Sequence, residues 1–362
     1  MEQGAERMGS YNKTHLRNIK RIFQEKTGAV LEKENAPVRS VRRAVVLAAV
    51  LAGVAAMTCC AAAATFDAGA LFGLLFGQRQ EGPLSDGQGQ YVDERAADVG
   101  EQVEQNGVSV TLTGAVSDGV MAYLWLDIAA PEGVALEQLP LAFDVELIGL
   151  RQAGQEQDSI SGISTSCIAL PDHDGLENTT SMLVSCHIYQ PMGSGFSFND
   201  GRTRTVHLKE LFYHSDTYPY EKRTVADGVW TYDFAFTAVE EREAELLTAP
   251  LQASYCQISG REVEATVFSL RARGLSAVVY YELPSDAVQE AGDFGILTVV
   301  RKDGSTIHGY PEKAGQTVQM EGGELVPGSG CHYCAYVFDA PLCHEDIAAL
   351  HMDGRVVDIA LP

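Results

Sequence analysis

Short runs of alternating apolar and polar residues recur through most of the chain and predict β-strands. In the clearest run, Trp230, Tyr232 and Phe234 alternate with Thr231 and Asp233, so we expect one aromatic face to be buried. Comparable runs cover residues 108–112, 121–128, 141–150, 182–189, 263–270, 277–283, 296–300, 333–338 and 356–361. Turn-forming residues separate these runs. Many short strands with such spacing predict antiparallel β-sandwiches.

A change in composition divides the predicted β region into two domains. The acidic run at residues 240–245 is followed by a break at 248–251. We therefore expect one sandwich domain over residues 91–248 and a second over residues 249–362.

Residues 44–66 form an apolar stretch of 23 residues without charge or proline. As a helix the stretch would be about 35 Å long, enough to cross a hydrocarbon core of about 30 Å. A buried soluble helix would normally have a polar face. A cleaved signal peptide could use residues 61–64, but its leader of 43 residues would be far longer than usual. A lipoprotein anchored at Cys59 or Cys60 would lack a good lipidation site. The favoured interpretation is an uncleaved transmembrane helix.

Charge orients this predicted span. Residues 1–43 contain ten basic and five acidic side chains, whereas the residues after the span contain 16 basic and 44 acidic ones. Because positive flanks stay on the cytoplasmic side, we expect a cytoplasmic N-terminus and an extracytoplasmic body in the cell membrane. The formal net charge of −23 also argues against nucleic acid as a partner, since a nucleic-acid binder needs a basic face.

Residues 67–90 are expected to be an exit segment followed by a polar linker at residues 78–90. Phe72 and Phe76 would lie near the outer membrane interface, as would Phe66. Glycines at 69, 73 and 77 have the spacing of a small-residue ladder that could let two helices approach. A glycine-rich exit loop is the favoured interpretation of the same residues.

The cytoplasmic tail, residues 1–43, contains one predicted amphipathic helix between Asn12 and Gly28. Its apolar stripe consists of Leu16, Ile19, Ile22 and Phe23. The stripe could dock a cytoplasmic protein. Alternatively, the basic helix could lie on the anionic inner leaflet of the membrane. The third interpretation is a tail that only orients insertion.

The order of these features resembles a bacterial family of membrane-anchored proteins with a domain of unknown function. The resemblance rests on the basic tail, the span, the Gly/Phe-rich exit, and two motifs, residues 106–112 with the turn at 117–119 and residues 227–234. It covers about residues 11–362. It implies a mostly β protein in which one transmembrane helix precedes two antiparallel immunoglobulin-like β-sandwich domains. It also implies a surface sensor of the anti-sigma-factor type, with a sigma factor as the expected cytoplasmic partner, and it brings no catalytic residues.

Candidate chemistry is sparse. Six cysteines lie after the span, and Cys167 and Cys186 are the pair favoured for a disulfide because we expect them on neighbouring strands. Cys331, Cys334 and Cys343 could offer thiolates to zinc, but one CxxC with a loose third cysteine is a weak signal. Phosphate-binding loops and nucleophile motifs are missing from the sequence. We therefore expect no catalytic residues, no metal and no cofactor.

Two functions remain open. In the first, the outer domains bind a ligand and the inner helix reports it, so the protein is a single-pass sensor or regulator. In the second, the body is a surface structural or adhesion module and the tail is only an anchor.

Overall fold

A computed structural model describes most of the chain after residue 66. The described residues are 67–80, 82–136, 141–148, 162–170, 176–189, 196–214, 222–240, 242–257, 259–284, 292–311, 331–352 and 354–359. The predicted cytoplasmic helix and the predicted span at 44–66 lie outside them. Within the described part of the chain, no helix is both long enough and apolar enough to span a bilayer.

The described residues form a mostly β protein with antiparallel sheets, as the sequence pattern predicts. The first sheet has the order β1-β2-β3-β6-β5, and the second has the order β4-β7-β8. The strands are β1 (Ala97–Gln105), β2 (Val108–Ser117), β3 (Met121–Ala129), β4 (Leu141–Ile148), β5 (Gly162–Ala169), β6 (Thr179–Tyr189), β7 (Thr203–His214) and β8 (Lys222–Ala235). We call these two sheets the first body.

The two sheets of the first body share one core. The predicted alternation in β8 is confirmed, because Trp230, Tyr232 and Phe234 are all buried. Two of these side chains also tie the sheets together. The Trp230 indole donates to the carbonyl of Val108 (3.1 Å), and the Tyr232 hydroxyl donates to that of Val110 (2.7 Å). Polar groups inside the core are thereby paired, which avoids the cost of burying them alone.

The connection between β1 and β2 is the Asn-Gly turn that the sequence contains. Asn106 and Gly107 have φ values of 50° and 81°. Positive φ at both central residues is the requirement of a type I′ turn, which matches the twist of a hairpin. The local sequence therefore accounts for this hairpin.

The second body is one sheet that curls around its own core into a half-barrel. Its order is β13-β10-β11-β12-β16-β15-β14-β17-β18, and β9 pairs with β11. The strands are β9 (Ala244–Glu245), β10 (Leu251–Gln257), β11 (Glu262–Ala272), β12 (Ser276–Glu282), β13 (Gly292–Asp293), β14 (Leu297–Arg301), β15 (Thr306–Pro311), β16 (Cys331–Phe338), β17 (Ile347–Met352) and β18 (Arg355–Val357). The structure corrects the expected pair of opposed sheets, because the pairing of β15 with β16 joins all strands into one sheet.

Two helices, α1 (Ala68–Arg79) and α2 (Asp86–Arg95), precede the strands. We call them the helical pair. They share a third hydrophobic cluster with the outer face of the first sheet and with Leu275 and Val337 of the second body. The helical pair and both bodies belong to one compact unit, so the expected polar linker at 78–90 is wrong. The domain boundary at residue 248 stays a prediction.

Candidate functional site

The two bodies meet at a buried carboxylate in the turn between β2 and β3. Asp118 is completely buried. Its Oδ1 accepts hydrogen bonds from the amides of Val120 (3.1 Å) and Met121 (2.8 Å) in the same turn. Its Oδ2 accepts from the Leu275 amide (3.0 Å) and the Ser276 hydroxyl (2.6 Å) in the turn between β11 and β12. One side chain therefore fastens the turns of both bodies to each other. We call this contact the joint.

A second layer of polar contacts surrounds the joint. Arg273 donates from Nη1 to the carbonyl of Asp118 (3.4 Å) and forms an ion pair with Glu243 (3.0 Å). On the other side, the Asn199 side chain donates to the carbonyl of Ser117 (2.9 Å). Hydrogen bonds to a charged acceptor are shorter and stronger than neutral ones. The joint is thus a rigid contact fixed by several directional bonds.

The first helix of the pair packs on the aromatic outer face of β3. Phe72 contacts Trp125 edge-on (6.2 Å between ring centroids), and Phe76 contacts Tyr123 in the same way (5.8 Å). Arg79 donates to the Tyr123 hydroxyl (3.3 Å) at the end of the helix. Both phenylalanines are fully buried. Their expected place near an outer membrane interface is therefore wrong.

The glycines of α1 face its own partner helix and the loop between them. A Cβ on Gly69 would lie 2.5 Å from the Asp93 carboxylate, and one on Gly77 would lie 3.2 Å from the Gly82 carbonyl. These small residues allow α1 to lie close to α2 and to the connecting loop of the same chain. The structure thus corrects both earlier interpretations, because these glycines belong to a packed helix rather than to an exit loop or a ladder between two spans.

The second helix of the pair is fastened to the second body. Ser85 and Gln88 form a capping box at its start, in which each side chain bonds the other residue's backbone. The completely buried Gln88 side chain also donates to the carbonyl of Pro341 (2.9 Å). The buried Gln88 amide therefore fixes α2, whose sequence resembles a linker, to the second body.

Gly274 of the second body packs directly against Tyr91 of α2. A Cβ added there would lie 2.0 Å from the Tyr91 ring. We predict that Gly274→Ala lowers the free energy of unfolding by about 1–3 kcal/mol, the usual cost of overpacking. Chemical denaturation measures this loss. Gly82→Ala is the matched control, since nothing lies within 4 Å of its added Cβ. Equal stability of the two variants would contradict this packing.

The cysteines favoured for a disulfide lie on neighbouring strands, as expected, but two positions out of register. Cys186 pairs with Thr165, and Cys167 pairs with Val184. Cys167 is a free cysteine, so it forms no disulfide with Cys186. Burial raises the pKa of the Cys167 thiol to about 11. It is therefore protonated at neutral pH and packs as a small apolar side chain.

The CxxC sequence lies within β16. Because side chains alternate along a strand, Cys331 and Cys334 point to opposite faces of the sheet. Within the described ranges, His, Cys, Asp and Glu side chains form no group of three or more that could hold a metal ion. The apolar stripe of Leu16, Ile19, Ile22 and Phe23 lies outside the described residues, so its docking role stays a prediction.

Comparisons with known proteins give little further guidance. No family model matches the chain, and no curated protein matches it. One solved structure, described as the crystal structure of the conserved domain protein from Bacillus anthracis, is similar over 70% of this chain and 75% of that chain. The sequence identity is 15% and the TM-score is 0.42. This distant likeness assigns no family.

Proposed function

We propose that the chain is a single-pass membrane protein whose extracytoplasmic β bodies act as a sensor for a cytoplasmic partner. The observation that supports this proposal most is the start of α1. Asp67, the residue directly after the predicted span, caps the helix by accepting from the Ala70 amide (3.2 Å). The next residue, Ala68, donates its amide to Asp98 in β1 (2.7 Å). The first residues after the predicted span are therefore already fixed to the body.

Such a connection favours a sensor over a passive display module. A surface module works on a flexible linker, because the linker lets it reach its target. A sensor needs its ligand-binding part to bias the segment that crosses the membrane, and a flexible linker would absorb that bias. Here the helical pair packs on the first body and is bonded to the second through Gln88. A change in either body would thus act on the residues next to the predicted span.

The first body supports an immunoglobulin-like assignment within this proposal. Its two antiparallel sheets pack face to face around one core. Immunoglobulin-like sandwiches are common recognition modules on cell surfaces. A recognition role for the first body agrees both with a sensor and with the alternative, an adhesion or binding module. An experiment on the cytoplasmic tail is therefore needed to distinguish the two functions.

The docking stripe gives the test. We predict that Ile19→Asp and Phe23→Asp abolish capture of a cytoplasmic partner, because a carboxylate on the apolar stripe could not be buried against the partner. The measurement is a crosslinking pull-down of the full chain from membranes, compared with a chain that lacks residues 1–30. A sigma factor is the class of partner that the family resemblance implies.

The matched control is Arg21→Asp, which places the same side chain on the opposite side of the predicted helix. We expect this variant to keep the partner and all variants to keep normal surface display. Identical partner lists from the full chain and the truncated chain would refute the sensor proposal and favour the adhesion module.

A further inference from the structure

The half-barrel of the second body is open along one seam, between β10 and β18. These strands are edges of the sheet. Residues 251–254 of β10 pair with β11 on one side, and β18 pairs with β17 on one side. On their other sides, residues 251–254 and 355–357 pair with no strand in the described part of the chain. The seam therefore presents two rows of backbone groups that can still accept a strand.

One end of the seam is closed. Leu247 forms an isolated antiparallel bridge with Ile359, and the Thr248 amide donates to the Asp358 carbonyl (3.4 Å). Beyond this closure the two edges diverge around a cleft of about 210 Å³. Leu251 and Ala253 line one wall, and Val356 lines the other. We call this space the seam cleft.

The exposed edges and the lining of the seam cleft favour a strand that lies along it over an enclosed small molecule. Pockets for drug-sized ligands usually have volumes of about 300–1,000 Å³ and cover most of their ligand. The seam cleft is smaller. Val356 is 70% exposed, the largest exposure among the large apolar side chains of the described residues. An added strand would cover Val356 and bond to edge backbone on both sides, which is the way in which strand addition gains affinity.

The negative charge of the surface indicates which kind of strand the seam cleft would bind. The residues after the predicted span contain 44 acidic and 16 basic side chains. Next to the cleft, β11 exposes Glu264 opposite Ser254 of β10, and Asp358 is exposed at the closed end. Glu262 is exposed further along β11, and Arg261 and Arg355 are the exposed cations nearby. An acidic surface of this kind attracts and retains cationic partners.

We propose that the seam cleft binds an extended, cationic polypeptide segment by strand addition between β10 and β18. Alternate residues of the segment would face inward against Leu251 and Val357, which pack on the core, and its basic residues would face outward on the side of Val356 and Glu264. This inference names a class of ligand for the body and does not depend on a cytoplasmic partner. Its test therefore fails or succeeds independently of the sensor proposal.

The test uses the full chain in detergent and a fluorescent heptapeptide of alternating Lys and Val with blocked ends. Fluorescence anisotropy measures its binding. A peptide of the same charge with alternate amides N-methylated controls for adsorption to the acidic surface, because it cannot complete a strand ladder. We expect the unmethylated peptide to bind at least about tenfold more tightly than the methylated one and than a Glu/Val peptide.

Two variants locate the site. Val356→Lys puts a charge on the edge and is expected to weaken binding by about tenfold, as charges on edge strands do. Ile296→Lys changes an exposed apolar residue of the same body outside the cleft and should leave the affinity within about twofold. A photoreactive group in the peptide should crosslink to residues 251–254 and 355–358 of the wild-type chain. This result locates the site without any variant, so it holds even if a variant fails to fold.

Three results would overturn the proposal. The first is equal binding of the methylated and unmethylated peptides. The second is crosslinking that maps outside the seam cleft. The third is crosslinking of residues 251–254 and 355–358 to a second copy of the chain when no peptide is present. That result would mean that a second copy already occupies the cleft.

Discussion

Asp118→Ala is expected to lower the free energy of unfolding by about 3–5 kcal/mol, one of the two largest effects that we expect in this protein. The change removes the acceptor of four buried donors and leaves three backbone amides, those of Val120, Met121 and Leu275, without a partner. Each unsatisfied buried donor carries a desolvation cost of about 1–3 kcal/mol, which partial relaxation reduces. Because the joint links the two bodies, we also expect one calorimetric transition to become two.

Differential scanning calorimetry of the full chain measures both effects. The matched control is Asp303→Ala, which removes a carboxylate that bonds the Ser305 amide (2.9 Å) in an exposed turn. We expect this variant to melt close to the wild-type temperature. A variant at Asp118 that melts like the one at Asp303 would show that the joint does not hold the bodies together.

Phe72→Ala is expected to cost about 3–5 kcal/mol and to release the helical pair from the first sheet. The side chain is fully buried between Phe76 and Trp125, so its removal leaves a cavity in the cluster that holds α1 against the first sheet. Limited proteolysis should then cleave residues 67–95 while the strands stay protected, since the pair loses its main apolar anchor.

Leu74→Ala is the matched control on the same helix, because Leu74 is 55% exposed. We expect it to change the unfolding free energy by less than about 0.5 kcal/mol. If Phe72→Ala and Leu74→Ala were equally resistant to proteolysis, the helical pair would not be anchored as described.

The sequence predicts β2, β3, β4, β6 and β8 of the first body, because their signal is local, but it gives no run for β1, β5 or β7. Trp230, Tyr232 and Phe234 alternate with polar residues, and the alternation alone identifies the buried face. The Asn106-Gly107 turn is equally local. The single curled sheet of the second body is different. It depends on the pairing of β16 with β15, whose partners lie 25–29 positions apart, and with β12, whose partners lie 49–61 positions apart, and no local pattern encodes either pairing.

The sequence predicts an exit segment and a linker in place of the helical pair for two physical reasons. The side chains of α1 are apolar on all sides of the helix, so α1 lacks the polar face that marks an amphipathic helix. The second helix, α2, contains two glycines and few apolar residues. One signal could have found α2, namely Ser85 followed three residues later by Gln88, the pattern of a capping box.

The joint could be predicted only in part. Ser117-Asp118-Gly119 is a turn signal, and the turn is confirmed with Gly119 at a φ of 94°. The second role of Asp118, as the acceptor for Leu275 and Ser276, joins residues more than 150 positions apart. Such a contact depends on how the bodies pack. The seam cleft is hidden in the sequence for the same reason.

Residues 67–95 form a packed helical pair that follows the predicted span directly in the sequence. Hydrogen exchange of the full chain in a lipid bilayer tests this packing, because opening of the helices is read residue by residue. We expect the amides of residues 72–76 and 92–95 to exchange as slowly as those of β3. Rapid exchange of these amides beside a protected β3 would mean that the segment is a flexible linker, and the proposed coupling would be wrong.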